Sequence, residues 1–310
     1  MSGAVVTAST DVSRPTARGL RGWWRDPWRR PKILATLTWG YLAWSTLPVL
    51  IAVGMSFNAG RSNSTFQTFG LRWWIDDPDR ESLFHSVDLR QAMFQTYRLS
   101  FLTMLFAVPL GVLFAIGIDR WRGRVPTGFN FMMLVTFVLP EIVIGVSMLL
   151  VIRFVLAEIL PFVHLGTVAQ VLGLVTYQIS YPVIIVRARM LSIGRDYEEA
   201  GMDLGATPTQ AVRRVLLPLL YPAIFASFAI VFADTVDDFV TVRYLSGQSS
   251  SEPLSLKIYA TARASASPAV NAAATFMLVT TTIAIALGYL GYKALSKGQK
   301  GADVSSFTQL

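Results

Sequence analysis

Residues 196–218 read DYEEAGMDLGATPTQAVRRVLLP, a charged stretch that lies between two long apolar runs. Asp196 is placed to cap a first helix, with a glutamate three residues later as its capping-box partner. Gly205 suits the left-handed backbone that ends such a helix, and Thr207 followed by proline is a second start signal. The stretch therefore predicts two short helices that meet at a glycine corner, with Pro218 ending the second.

Composition points to a membrane. Of the 310 residues, 53% are hydrophobic and 15% are charged, whereas an ordinary soluble domain carries about 25% charged residues. Six apolar runs are long enough to cross a hydrocarbon core of about 30 Å. They lie near 33–56, 99–118, 129–152, 167–186, 219–241 and 270–292. The sequence predicts an all-α, polytopic membrane protein with six transmembrane helices.

The basic residues set the expected orientation. A cytoplasmic amino terminus places eighteen of the 27 Lys and Arg in the cytoplasm, with seven before the first span, three at 120–124, five at 187–214 and three in the tail. The positive-inside rule favours this arrangement. Both termini and the 196–218 stretch are therefore predicted to be cytoplasmic.

Two common kinds of chemistry are not expected of this chain. The sequence contains no cysteine, which excludes disulfides and thiolate metal sites. It also contains no GxxxxGK[ST] phosphate loop and no nucleophile beside a base. The chain is predicted to be no enzyme and to bind no metal or cofactor of its own.

The charged stretch carries a resemblance to a known family. Glu199-Ala200-Gly201, Gly205 and Val215–Pro218 are spaced as in the EAA loop of bacterial ABC-importer permeases, E-A-A-x3-G-x9-I-x-L-P. The resemblance implies a type I importer fold in the bacterial cytoplasmic membrane, with this loop docked in a groove of a cytoplasmic ATPase. The residues expected to couple to that ATPase are Glu198, Glu199, Ala200, Gly201, Asp203, Gly205, Ala206, Leu217 and Pro218.

The same resemblance implies partners and a domain plan. A second permease subunit, two ATPase subunits that hold ATP and Mg²⁺, and an external substrate-binding protein are expected. Residues 1–32 are predicted to form a disordered tail with a basic, aromatic interfacial anchor. Residues 33–293 form the transmembrane permease domain, with the coupling loop at about 187–218, and residues 294–310 form a cytoplasmic tail.

Four acids inside the apolar runs are candidates for the transport path, because ionisable groups in membrane spans are costly and usually functional. Asp234, Asp237 and Asp238 follow at i, i+3 and i+4 and are expected to share one helix face. Glu141 is expected at the depth of Asp234, since these two lie about 18 Å along their helices from the inner boundary, and Asp237 and Asp238 are expected closer to the outside. Carboxylates at that depth suit a cationic substrate, and Tyr177 and Tyr181 are candidates for cation–π contacts.

Three further stretches resemble the spermidine/putrescine branch of these permeases, particularly its second permease subunit. They are LPEIVIGVSMLL at 139–150, DDFV at 237–240 and the run from Glu252 to Thr275. The resemblance implies import of polyamines. The alternatives are an ABC permease for another small solute and an ion-coupled secondary transporter. The second alternative is less favoured, because such folds commonly show inverted repeats and more spans.

Overall fold

The computed structural model of the chain describes residues 32–62, 65–75, 82–121, 124–160, 163–264 and 268–296. The predicted amino-terminal anchor up to residue 31 and the tail beyond residue 296 lie outside these ranges. Contacts divide the chain into a unit that ends at Ile51 and a unit that begins at Ala52. The first described helix, α1 (Lys32–Met55), contains the first apolar run.

The second unit is built of helices. In chain order they are α2 (Val87–Arg120), α3 (Arg124–Val138), α4 (Glu141–Ile159), α5 (Thr167–Ile193), α6 (Asp196–Asp203), α7 (Pro208–Asp237), α8 (Val240–Leu245), α9 (Leu254–Ala264) and α10 (Ala269–Ser296). Six described helices, α1, α2, α4, α5, α7 and α10, are long and apolar enough to cross a membrane. The prediction of six apolar spans is confirmed.

The third span does not start where the sequence predicted. A continuous helix over 129–152 was expected, but α3 ends at Val138 and α4 begins at Glu141. Pro140 has no amide hydrogen and disfavours helical geometry at the residue before it, so the chain breaks between the two helices. The apolar span is therefore 141–159, and α3 is a separate, shorter apolar helix.

The fifth span also ends earlier than predicted. It was expected to reach residue 241, but α7 ends at Asp237, and Asp238 has φ −57° and ψ 126°. The Asp238 carboxylate accepts a hydrogen bond from the Val242 amide at 3.0 Å and so satisfies one free amide in the first turn of α8, whose cap residue is Phe239. The prediction that Asp234, Asp237 and Asp238 share one helix face is wrong, because Asp238 lies beyond the helix.

The core of the second unit lies where α2, α5 and α7 pack together. Its buried residues include Ala107, Val108, Val112, Val183, Val186, Leu216, Leu220 and Val231. Gly111 permits the close approach of α2 and α5, because a Cβ atom at this position would lie 2.5 Å from Cγ of Pro182. These three helices provide the framework on which the sites described below are positioned.

A second buried cluster joins helices near one end of that framework. Its members are Leu99, Ile144, Leu174, Tyr177, Val242 and Leu256. It connects α2, α4, α5, α8 and α9, and it surrounds Tyr177, which lies beside two of the candidate acids. The acids are thereby held on a packed scaffold and not on a loose loop.

Candidate functional site

Residues 194–218, here called the elbow, contain the glycine corner that the sequence predicts. Gly205 has φ +91°, in the left-handed region. Its amide donates to the carbonyl of Met202 at 2.9 Å, and the amide of Ala206 donates to the carbonyl of Gly201 at 3.1 Å. These are the two hydrogen bonds of a Schellman motif, so the corner after α6 is confirmed.

The second start signal is confirmed and the first is not. The Thr207 hydroxyl accepts from the Gln210 amide at 3.4 Å, and the Gln210 side chain accepts from the Thr207 amide at 3.0 Å, which is a complete capping box. Asp196 was expected to cap α6, but α6 begins at Asp196 itself, and the cap residue, Arg195, makes no side-chain capping hydrogen bond. As a first-turn acid, Asp196 favours the positive end of the helix instead.

The predicted stop at Pro218 is also wrong. The helix that starts at Pro208 runs on to Asp237, and it contains a π-helical segment, Val212–Leu216, which ends two residues before Pro218. In that segment the amide of Leu217 donates to the carbonyl of Val212, one residue further back than in an α-helix. The wider turn lets the helix continue past a residue that has no amide to donate.

The nine predicted coupling residues divide by exposure. Glu198 is buried, whereas Glu199, Ala200, Asp203 and Gly205 are exposed, and Gly201, Ala206, Leu217 and Pro218 are intermediate. The Glu198 carboxylate accepts from the Arg120 guanidinium at the end of α2. Leu204, at the tip of the elbow, is 91% exposed. The elbow therefore presents a surface with both acidic and apolar character, while Glu198 faces the bundle.

The structure brings the four candidate acids of the transport path together. Glu141 starts α4 and lies within electrostatic range of Asp234, Asp237 and Asp238. Glu141 and Asp237 are exposed, and Asp234 is of intermediate exposure. Tyr181 lies beside Asp234 and packs edge-on against Phe137, with 5.6 Å between ring centroids. We call the carboxylates of Glu141, Asp234, Asp237 and Asp238 the acid cluster.

Asp238 differs from the other three because both of its carboxylate oxygens are occupied. Oδ2 accepts from the Tyr177 hydroxyl at 2.6 Å, and Oδ1 accepts from the Val242 amide. The Asp238 carbonyl also accepts from the Ser255 hydroxyl at 2.7 Å. A buried carboxylate with these partners joins α5, α8 and α9 at one point.

Asp234 is held by a residue that the sequence reasoning missed. The side-chain amide of Gln178 is fully buried and donates to Oδ2 of Asp234 at 2.6 Å and to the Tyr177 hydroxyl at 3.2 Å. Because a carboxylate only accepts, the amide nitrogen of Gln178 faces Asp234. The signal was available, since Gln178 is an amide within an apolar run beside Tyr177.

The acid cluster takes part in none of the ion pairs between described residues. The described ion pairs join Arg120 to Glu198, Arg195 to Asp119 and Lys257 to Glu252. Among the described residues, no ion pair joins the acid cluster to Arg153 or Arg243. The cluster therefore keeps its excess of negative charge in the part of the chain that the structure describes, and can compensate a bound cation chemically.

Comparisons with known proteins identify the family. Residues 107–301 match the family described as "Binding-protein-dependent transport system inner membrane component". The spermidine/putrescine transport system permease protein PotC of Escherichia coli strain K12 is 29% identical over 259 residues, which cover 84% of this chain and 93% of PotC. The putrescine transport system permease protein PotI of the same strain is 27% identical over 277 residues, 89% of this chain and 93% of PotI.

A solved structure has the same fold. A chain of a bacterial ABC transporter that imports the acidic polysaccharide alginate superimposes with a TM-score of 0.67 at 17% identity, covering 85% of this chain and 96% of that chain. The family match extends over more than half of the present sequence. This chain belongs to the family of binding-protein-dependent transport system inner membrane components.

Proposed function

We propose that this chain is a permease subunit of an ATP-driven importer of polyamines in the bacterial inner membrane. The observation that carries the proposal is the acid cluster, in which four carboxylates from α4, α7 and the α7–α8 junction lie together. The relatives PotC and PotI support it, because both are described as permeases of polyamine transport systems. The chain itself hydrolyses no ATP. It forms part of the translocation path and transmits the motion of the ATPase to that path.

The arrangement of the acids suits a substrate with several separated ammonium groups. Such a cation gives up water at each nitrogen when it enters a low-dielectric path, and carboxylates replace the lost hydration. Glu141 and Asp237 are exposed, which leaves their oxygens available to a ligand, whereas Asp234 is partly exposed and already accepts a hydrogen bond from Gln178 through Oδ2. Asp238 keeps its two oxygens for Tyr177 and Val242 and holds the site together.

The elbow is proposed to dock on a cytoplasmic ATPase. The acidic first turn of α6, the glycine corner and the exposed Leu204 present one surface for that contact. ATP and Mg²⁺ belong to the ATPase. A second permease subunit completes the path, an external binding protein delivers the substrate, and both termini lie in the cytoplasm. Closure of the ATPases moves the elbows and switches the permeases between two states.

Transport assays test this function. The full complex is reconstituted in proteoliposomes, and uptake of labelled putrescine and spermidine is measured against competition by an amino acid and a sugar. Polyamines are expected to be taken up and to compete with each other. Uptake inhibited by the sugar or the amino acid but not by unlabelled polyamine would contradict the proposal.

Variants locate the path within the same assay. Glu141→Gln and Asp234→Asn each remove one charge from the cluster and are expected to lower uptake about tenfold, the effect of losing one charge-assisted hydrogen bond. Glu158→Gln is the matched control, since Glu158 is an exposed acid at the other end of α4. Unchanged uptake in both cluster variants would remove the acid cluster from the path.

A further inference from the structure

We propose that Asp119 and Arg120, at the end of α2, are positioning residues that clamp the elbow, so that the elbow and α2 move as one body during transport. This inference rests on the proposed coupling role of the elbow. It adds a second mechanical connection between the elbow and the acid cluster, beside the continuous backbone of α7.

The clamp consists of two ion pairs, and α2 supplies the cation to one pair and the anion to the other. Arg120 of α2 donates to the carboxylate of Glu198 in α6, and Glu198 is only 7% exposed at its side chain. In the other direction, Arg195 donates to the backbone carbonyl of Asp119 at 2.9 Å and lies 3.5 Å from its carboxylate. Each end of the contact therefore contributes one cation and one anion.

This arrangement of charges makes the contact between α2 and the elbow specific. Asp119 and Arg120 are neighbours in sequence, and their partners Arg195 and Glu198 are three residues apart, close to one helical turn. A slip that exchanged the partners would bring like charges together, which is costly. Glu198 is buried, so loss of its cation leaves an uncompensated charge and is more damaging than loss of an exposed pair.

From the clamp, α2 leads to the neighbourhood of the acid cluster. Part of the way along α2, Gly111 packs closely against Pro182 of α5. Further along, Leu99 packs in the cluster that contains Tyr177, whose hydroxyl donates to Asp238. Near its other end, Gln95 donates to Thr167 and Gln170, both at 2.9 Å. One helix thus contacts the elbow, the middle of α5 and the residues that hold Asp238.

The direct route through α7 is less suited to transmit a push. Between the glycine corner at Gly205 and Asp234, α7 contains the π segment Val212–Leu216 and two prolines, Pro218 and Pro222. Wider turns and prolines are the usual positions of helix bends. By contrast, α2 is α-helical from Val87 to Arg120 with one proline, Pro109. The clamp therefore supplies the stiffer of the two connections.

Charge reversal tests the clamp in the reconstituted complex. Arg120→Glu and Glu198→Arg are each expected to lower polyamine uptake about tenfold, and the double variant to recover to within about threefold of wild type, as a directly coupled pair should. Retention of the ATPase subunits and continued ATP hydrolysis are expected for Arg120→Glu, because Arg120 lies at the end of α2 and outside the elbow. The ratio of substrate imported to ATP hydrolysed is the readout, because a purely structural defect would not change it selectively.

The second pair gives an independent check. Asp119→Arg with Arg195→Asp is expected to recover import relative to either single variant. If both double variants transport no better than their worse single variant, the clamp is wrong.

Thermal unfolding tests the clamp separately from the substrate. If the wild-type complex imports no polyamine, the proposed substrate fails, and the clamp is judged by the midpoint of thermal unfolding. The single charge reversals are expected to lower this midpoint and the double variants to restore it. Midpoints that the double variants do not restore would overturn the clamp.

Discussion

At the scale of single residues, the acid cluster shows that adjacent carboxylates have different roles. Asp237 and Asp238 are neighbours, yet Asp237 is exposed, whereas Asp238 is buried and its carboxylate accepts hydrogen bonds from two donors. The difference arises because the helix ends between them. The rise along each helix predicted that Glu141 and Asp234 lie close together, but it could not predict that the Tyr177 hydroxyl donates to Asp238, since Tyr177 lies on a distant segment.

Gly205 allows the sharpest test of a single residue. Gly205→Ala places an L side chain at φ +91°, which costs about 1–2 kcal/mol for a left-handed conformation. No atom of the described residues lies within 4 Å of the added Cβ, so the change acts through the backbone conformation. We expect the elbow to lose its shape and uptake to fall, with the protein still present in the membrane.

Gly201→Ala is the control for that variant. Gly201 lies within α6, and its added Cβ would meet Cγ2 of Val215 at 3.3 Å, a contact that a small side-chain shift relieves. Uptake in proteoliposomes and retention of the ATPase on purification are compared for both variants. Wild-type uptake by Gly205→Ala, or an equal loss in Gly201→Ala, would argue against the corner as a coupling feature.

At the scale of helices, the close approach of α2 and α5 depends on Gly111. In Gly111→Ala the added Cβ would lie 2.5 Å from Cγ of Pro182 and 3.0 Å from the carbonyl oxygen of Ile179, and neither the ring nor the backbone can move aside alone. Such overpacking costs about 1–3 kcal/mol. We expect a lower midpoint of thermal unfolding in detergent and reduced uptake.

Gly117→Ala on the same helix is the matched comparison. In the part of the chain that the structure describes, no atom lies within 4 Å of a Cβ at Gly117. Replacing an internal helical glycine by alanine stabilises a helix by up to about 1 kcal/mol, so the midpoint of thermal unfolding is expected to stay the same or rise. If the two alanine variants unfold at the same temperature, the packing of α2 on α5 does not depend on this contact.

The helices also show how far a sequence predicts a membrane fold. Length and composition predicted six apolar spans, because a span must be long and apolar to cross a bilayer. Proline was the ambiguous signal: Pro48, Pro109 and Pro222 lie inside continuous helices, whereas the chain breaks at Pro140. Neighbouring helices can satisfy the backbone groups that a proline frees, so the outcome depends on tertiary packing that one segment does not reveal.

At the scale of the whole molecule, the elbow and the acid cluster are joined through the packed core of the second unit. The spacing of the elbow residues predicted the glycine corner and the helix start at Thr207 correctly, since both depend on local geometry, whereas the cap predicted at Asp196 was wrong. The contacts between Arg120 and Glu198 and between Gln178 and Asp234 were not predicted, because they join residues 78 and 56 positions apart. The proposed transport cycle depends on these long-range contacts as much as on the local motifs.

The central claim is that motion powered by ATP enters the bundle through the elbow on the cytoplasmic side. Leu204→Cys tests it directly, because Leu204 is 91% exposed at the tip and the native sequence has no cysteine. The account predicts that a membrane-impermeant maleimide labels this cysteine only after the inner membrane is permeabilised, and that a thiol-reactive crosslinker joins it to the ATPase. Labelling from outside intact cells, or failure to crosslink any ATPase in the transport-active complex, would contradict the account.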